Sequence, residues 1–225
     1  MIIFQIYEFL AEEAQRLKKQ ILPIPFQAVI FDLGTVYKFK DKELADSIAR
    51  IASSSDTTLG RQLQEFELGK ISFEQLKSSV EQRVNSQTPP DTPVNDVIKL
   101  TKDDHLLTAV DHLRRAGYKT ALLTNIGFKD DSRLQTIVPV PVELKTYFDL
   151  IIESCRVQLR KPNPRIYELT ARRLGLEPQE CIYVDELPRH CRGAEVVGMK
   201  SIQVAVTDSK RAIDQLSHIF GIDLY

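Results

Sequence analysis

Five short apolar runs punctuate the chain: Ala28 to Phe31, Thr120 to Leu123, Leu150 to Ile152, Cys181 to Val184, and Ser201 to Val206. Runs this short and this continuous suit strands buried on both faces, and stretches of helical spacing lie between them, as parallel crossovers require. The stretch that opens near Thr101 puts Leu106, Leu107, Val110 and Leu113 on one side and stops at Gly117. Ile166, Leu169 and Leu174 mark another helix, closed by Gly175, and glycine is the favoured residue just past a helix end. The pattern predicts an α/β fold, a doubly wound, Rossmann-like parallel sheet of about five strands.

Residues 41–100 break the alternation and show no strand pattern. They offer helical stretches at 43–52, 59–68 and 72–84, the last opening on the capping box Ser72-x-x-Gln75 and carrying Phe73, Leu76, Val80 and Val84 on one face. A small inserted α-helical unit is expected, ending in the turn-rich SQTPPDTP of 86–93. Near the start, Ile3, Ile6, Leu10, Ala14, Leu17 and Ile21 form one apolar stripe that Pro23 and Pro25 terminate. This reads as a helix lying on the domain or offering a protein or membrane contact. The expected division is a helix over 1–25, a core of 26–40 plus 101–225, and a helical cap over 41–100.

Composition narrows the function classes. With 225 residues, 43% of them hydrophobic, the chain can bury a sizeable core. Its 30 basic and 31 acidic residues leave a formal charge of -1, which gives no electrostatic footprint for nucleic acid. The three cysteines have neither paired nor zinc-ligand spacing, which points to a reducing compartment. Glu8, Glu12 and Glu13 interrupt the opening apolar run, so neither a leader nor a transmembrane segment is expected and a cytoplasmic protein is.

In an open α/β sheet, ligands bind beyond the carboxyl ends of the strands, so the residue after each apolar run carries the chemical information. Those residues are polar here: Asp32 after the first run, Thr124 and Asn125 after the second, Lys161 in the loop RKPNP after the third, and Asp185 with Glu186 after the fourth. Each has an ordinary role when taken alone. Asp before Gly is common in turns, Thr and Asn cap helices, and a lysine is usually solvated. Together they suggest a hard cation held by carboxylates, a carboxylate nucleophile, and a lysine with hydroxyl and amide donors around a phosphoryl group.

The strings that hold these residues, AVIFDLGTV, TALLTNIG, ESCRVQLRKPNPRIY and CIYVDELPRHCRGAEVVGM, resemble the four motifs of the haloacid dehalogenase superfamily in order and spacing, over about residues 26–220. The helical insert stands where one cap type of that family stands. LQEFELGKISFEQL looks like the cap of the branch that includes the N-terminal phosphatase domain of soluble epoxide hydrolases, and ESCRVQLRKPNPRIYELT looks like the domain fused to some acyl-CoA dehydrogenases. The resemblance implies a phosphatase of small phosphorylated metabolites that works through an aspartyl-phosphate. Asp32 and Lys161 would be catalytic, and Thr124, Asn125 and Lys161 would bind substrate. Mg²⁺ would be held by Asp32, the main chain of Gly34, Asp185 and Glu186.

One position departs from the family. Its first motif is usually Asp-x-Asp, whose second acid protonates the leaving alkoxide and later activates water, and this chain has Gly34 there. Loss of a general acid typically removes ~10²- to 10⁴-fold of rate, which implies a slow enzyme or a catalytically impaired protein that binds a phosphoryl ligand or a partner. The FDLGTV string also resembles an FDLGNV-like variant found in some sugar-phosphate phosphatases of the family. A shifted alignment against the Asp-x-Tyr-Gly-Thr of metal-free haloacid dehalogenases is the remaining alternative.

Overall fold

A computed structural model of the chain describes residues 25–39, 50–51, 54, 57–81, 100–204 and 208–225. Its strands are β1 (Ala28–Phe31), β2 (Tyr37–Phe39), β3 (Leu100–Lys102), β4 (Lys119–Thr124), β5 (Leu150–Glu153), β6 (Cys181–Asp185) and β7 (Lys200–Gln203). Five of them form a parallel sheet in the order β5-β4-β1-β6-β7. From β1 the chain winds outward through β4 and β5, then returns to the other side of β1 for β6 and β7. The winding reverses between β1 and β6, and a crevice opens at such a reversal.

Alternation along the strands feeds two helical layers. Val29 and Phe31 of β1, with Leu122, Ile182, Val184 and Ile202, face α4 (Asp104–Arg115) and α8 (Lys210–Phe220). Ala28 and Ile30, with Ala121, Leu123 and Tyr183, face α6 (Pro164–Leu174) and α7 (Pro188–Val196). Every residue of β1 is fully buried, which explains why its sequence is an unbroken apolar run. Helix ends follow their local signals: the Asp103 carboxylate accepts from Leu106 N at 3.1 Å at the start of α4, and Gly175 closes α6 with φ +72°.

The start of one helix and the start of the last strand differ from the sequence expectation. Thr101 belongs to β3, which pairs antiparallel with β2 (Tyr37 opposite Lys102, Phe39 opposite Leu100), so α4 starts only at Asp104. Thr101 and Lys102 are exposed, and a short ribbon of this kind leaves no apolar run to read. The last strand is described over Lys200–Gln203, Val204 N continues its ladder by donating to Asp185 O at 3.1 Å, and the end of the expected 201–206 run falls on residues 205–207, which lie outside the described set. The 86–93 linker and all but Pro25 of the expected 1–25 helix also lie outside it. Of the 43–52 helix, only Arg50 and Ile51 are described.

In the inserted segment, α2 (Thr58–Glu67) and α3 (Phe73–Glu81) are described. The capping box is formed in full: Gln75 N donates to Ser72 Oγ at 3.2 Å, and Ser72 N donates to Gln75 Oε1 at 3.0 Å. Phe66 and Phe73 tilt against one another with ring centroids 6.2 Å apart. Phe73 N donates to Phe128 O at 2.9 Å, tying this pair of helices to the loop after β4.

Candidate active site

Phe31 stands opposite both Leu122 of β4 and Val184 of β6, so the residues that follow β1 and end β4 and β6 reach the same edge. Asp32 N donates to Val184 O at 2.9 Å as β1 ends. The chain then turns into the single helical turn α1 (Leu33–Val36), which Asp32 caps: Oδ2 accepts from Gly34 N at 2.6 Å, and its carbonyl accepts from Thr35 Oγ1 at 2.7 Å. The turn fixes the carboxylate at the strand end and leaves Oδ1 for the centre of the site.

Lys161 fills that centre. It is 1% exposed, and its ammonium donates to Asp32 Oδ1, to Asp185 Oδ2 at 3.0 Å and to Leu123 O at 3.0 Å. Burial works against the charged lysine, but the Asp185 and Asp32 carboxylates outweigh it and hold the pKa above the ordinary lysine value. Asn125 holds the lysine's backbone from both sides, with Oδ1 accepting from Lys161 N at 2.8 Å and Nδ2 donating to Lys161 O at 3.0 Å. Thr124 is buried one residue earlier, at the end of β4.

Asp185, at the end of β6, is fully buried. Oδ2 accepts from Lys161, Tyr183 Oη and His190 Nδ1 (3.0 Å), and Oδ1 accepts from Leu187 N at 2.8 Å. Burial pushes its pKa up, yet Lys161, His190 and Tyr183 together pull it below the ordinary aspartate range, so it stays ionised. Burial, then the Lys161 charge, lowers the pKa of His190 despite Asp185, so the neutral ring donates its Nδ1–H. Glu186 behaves in the opposite way. Burial, then the like charges of Asp32 and Asp185, push its pKa well above the ordinary glutamate value.

Sequence reasoning singled out neither Tyr183, His190, Glu67 nor Ser154, which opens the short helix α5 (Ser154–Val157). Tyr183 stands two residues before Asp185 on one strand, so period-two alternation places both on the same face and was the available signal. His190 comes from the first turn of α7 and carries no spacing signal. Glu67, at the end of α2, accepts from Arg160 Nε at 2.6 Å and Asn125 Nδ2 at 3.4 Å, and its carbonyl accepts from Ser154 Oγ at 2.6 Å. These contacts join the insert to the loops that carry Asn125 and Lys161, and they cross between segments 58 or more residues apart.

One oxygen from each of Asp32, Asp185 and Glu186 lies within 4.8 Å of the other two. Glu186 Oε2 is buried with no hydrogen-bond partner among the described residues. Hard oxygen donors of this number and charge, with one carboxylate oxygen unsatisfied, fit a divalent cation such as Mg²⁺, which takes one or two carboxylates and shares the rest of its shell with water and phosphate oxygens. The same edge also presents a buried ammonium, the charge a phosphoryl group needs beside it.

The sequence profile of the haloacid dehalogenase-like hydrolases matches residues 26–198, which contain every residue of this site. The chain belongs to that family. It is 34% identical over 119 residues to bifunctional epoxide hydrolase 2 of Sus scrofa, a match that covers 53% of this chain and 21% of that protein. It is 32% identical over 128 residues to acyl-CoA dehydrogenase family member 10 of Mus musculus, covering 56% and 11%. A glyceraldehyde 3-phosphate phosphatase of Methanopyrus kandleri is 32% identical over 94 residues, covering 41% of this chain and 38% of that one. The chain therefore aligns with well under half of the length of each relative. Among solved structures, a family enzyme of Bacteroides thetaiotaomicron in complex with magnesium and inorganic phosphate superposes with a TM-score of 0.59 at 16% identity, covering 83% of this chain and 98% of that one. At that identity the likeness concerns the fold.

Proposed function

We propose that this family member is a Mg²⁺-dependent phosphatase of small phosphorylated metabolites, working through an aspartyl-phosphate on Asp32. The observation that carries the reading is the convergence of Asp32, Lys161 and Asp185 in one buried, hydrogen-bonded group at the winding reversal, with Glu186 completing an acidic set within 4.8 Å. Asp32, Asp185 and the Gly34 carbonyl would hold the ion, and Glu186 would meet it directly or through water. When bound, Mg²⁺ neutralises the negative oxygens of the transferring phosphoryl group.

The protein's own residues supply the rest. Asp32 is oriented for attack by Gly34 N on one oxygen and by Lys161 on the other. Lys161 offsets phosphoryl charge, and Thr124 with Asn125 would donate to the phosphoryl oxygens from the end of β4. The insert of 41–100 would cover the crevice, exclude water and select the substrate, since its helix α2 already reaches Asn125 and Arg160 through Glu67. A relative named as a phosphatase, the glyceraldehyde 3-phosphate phosphatase of Methanopyrus kandleri, supports the reaction class.

The test is release of inorganic phosphate from a panel of phosphoesters in Mg²⁺, with Asp32→Asn as the control. Turnover that Asp32→Asn abolishes supports the proposal; a panel without turnover refutes it. Gly34 favours a second reading, a catalytically impaired protein that binds phosphoryl ligands, and a silent panel combined with Mg²⁺-dependent phosphate binding would select it.

A further inference from the structure

Two guanidiniums stand where the inserted helices meet the core, and the proposed phosphoryl chemistry uses neither. Arg160 precedes Lys161 in the loop after α5, and Arg189 lies in the first turn of α7, next to the His190 whose ring donates to Asp185. Glu67, at the end of α2, accepts from Arg160 Nε at 2.6 Å and from Asn125 Nδ2 at 3.4 Å, so the loops after β4 and α5 both hold this carboxylate. The Arg160 and Glu67 side chains are only 13% and 16% exposed.

Arg189 is placed differently. Its Nε is buried and has no hydrogen-bond partner among the described residues, although the charges of Glu67, Arg160, Asp185 and Glu186 all act on it. Burial, opposed by Glu67 and reinforced by the like charge of Arg160, lowers its pKa, the sign of a cation that its surroundings do not fully compensate. The carboxylates beside it are engaged elsewhere: Asp185 accepts from Lys161, Tyr183, His190 and Leu187 N, and Glu67 accepts from Arg160 and Asn125. A buried donor left unpaired forfeits its hydration, which favours a partner brought by a ligand.

Charge and shape say which partner. Arg160 and Arg189 carry two positive charges and Glu67 one negative, an excess of one positive charge beside the crevice. A guanidinium offers Nε and one Nη as a planar edge that matches the two oxygens of a carboxylate. A second phosphoryl group, with close to two negative charges, would overshoot that excess. Resting on the phosphatase reading, we propose that Arg189 is a specificity-determining residue that pairs bidentately with a carboxylate of the substrate, with Arg160 held by Glu67 as the supporting charge. The substrates are then small phosphorylated carboxylic acids. Arg160 adjoins Lys161 and Arg189 follows Asp185 by four residues, so the two anionic groups of such a substrate need only a few bonds between them.

The experiment measures kcat/KM in Mg²⁺ for three esters of the same three-carbon skeleton: 3-phosphoglycerate, glycerol 3-phosphate, whose hydroxymethyl group replaces the carboxylate, and glycerol 1,3-bisphosphate, whose second phosphate does. Wild type is compared with Arg189→Met, which keeps the apolar stem, and Arg189→Lys, which keeps the charge without the planar edge. Wild type should favour 3-phosphoglycerate over glycerol 3-phosphate by about 10- to 10²-fold, the range of one charge-assisted pair, and should also favour it over the bisphosphate. Arg189→Met should bring the first ratio to within about 3-fold of unity, and Arg189→Lys should fall between the two.

A wild-type ratio under about 3 overturns the inference, and so does a loss in Arg189→Met that is equal for both monophosphates. Because the wild-type ratio is read without any substitution, it decides the matter even where a variant fails to fold. A bisphosphate cleaved faster than 3-phosphoglycerate overturns the assignment to a carboxylate. Turnover of other phosphoesters but of none of these three overturns the inference and leaves the phosphatase reading standing, whereas a protein silent on every ester refutes both.

Discussion

Replacing Lys161 by methionine keeps most of the side-chain volume and removes the one ammonium between two carboxylates. Asp32 then keeps Gly34 N, and Asp185 keeps Tyr183, His190 and Leu187 N, but their charges face each other uncompensated. Two like charges 4.8 Å apart, the outer limit of this acidic set, repel by about 3.5 kcal/mol at an effective dielectric of about 20. The protein can escape by protonating one carboxyl, which at pH 7 costs about 4 kcal/mol from an ordinary aspartate pKa near 3.9. The two routes bracket the effect, and both agree with the ~3–5 kcal/mol seen when one partner of a buried ion pair is removed. Urea unfolding at pH 7 is the assay, with Lys161→Met expected to lose about 3–4 kcal/mol relative to wild type. The deficit should shrink as the pH is lowered toward 4, where protonating a carboxyl costs little. A loss under about 1 kcal/mol, the scale of exposed ion pairs, would refute the account of Lys161 as the counter-charge of the site.

Other expectations follow from particular contacts. Ser154 Oγ accepts from Ile126 N at 2.9 Å and donates to Glu67 O at 2.6 Å, so Ser154→Ala should cost about 1–3 kcal/mol in chemical unfolding, and a neutral effect would deny that this hydroxyl ties α2 to the core. A Cβ at Gly127 would stand 2.2 Å from Phe66 Cε2, so Gly127→Ala should lower stability by about 1–3 kcal/mol as Phe66 is displaced, whereas Gly127→Ala with Phe66→Leu should recover part of the loss. Burial raises the thiols of Cys155 to about 11 and of Cys181 and Cys191 to about 12, so all three should resist a thiol reagent at pH 8 in the folded protein and react together on unfolding. An acid whose native pKa is raised favours the folded state below its unfolded value, so stability should decline as pH rises from about 8.5 toward those native values, and a flat profile through that window would count against burial of the thiols.

Much of this architecture was written in local patterns. A strand buried on both faces must be apolar along its length, so β1, β4, β5 and β6 were visible as runs, and their polar terminal residues marked the site edge because only there does the sheet open to a ligand. Helix ends followed short-range signals, and the Ser72–Gln75 capping box formed as its residues required. The β2–β3 ribbon escaped notice because three-residue strands with exposed positions bury too little to leave a pattern.

The site was legible as a set of residue types and positions, and its partnerships were not. Sequence alone brought Asp32, Thr124, Asn125, Lys161, Asp185 and Glu186 to one edge, since that follows from strand order and alternation. Only the tertiary structure decided that Lys161 lies between two carboxylates, that the two ends of the Asn125 amide hold the lysine loop, and that Tyr183 and His190 both face Asp185. It also decided what stands beside Gly34. In sequence the glycine is a missing acid, whereas in space the carboxyl of Glu186, brought 152 residues along the chain, stands over it. Long-range packing of this kind depends on distances between side chains on different elements, which no local pattern of hydrophobicity or spacing encodes.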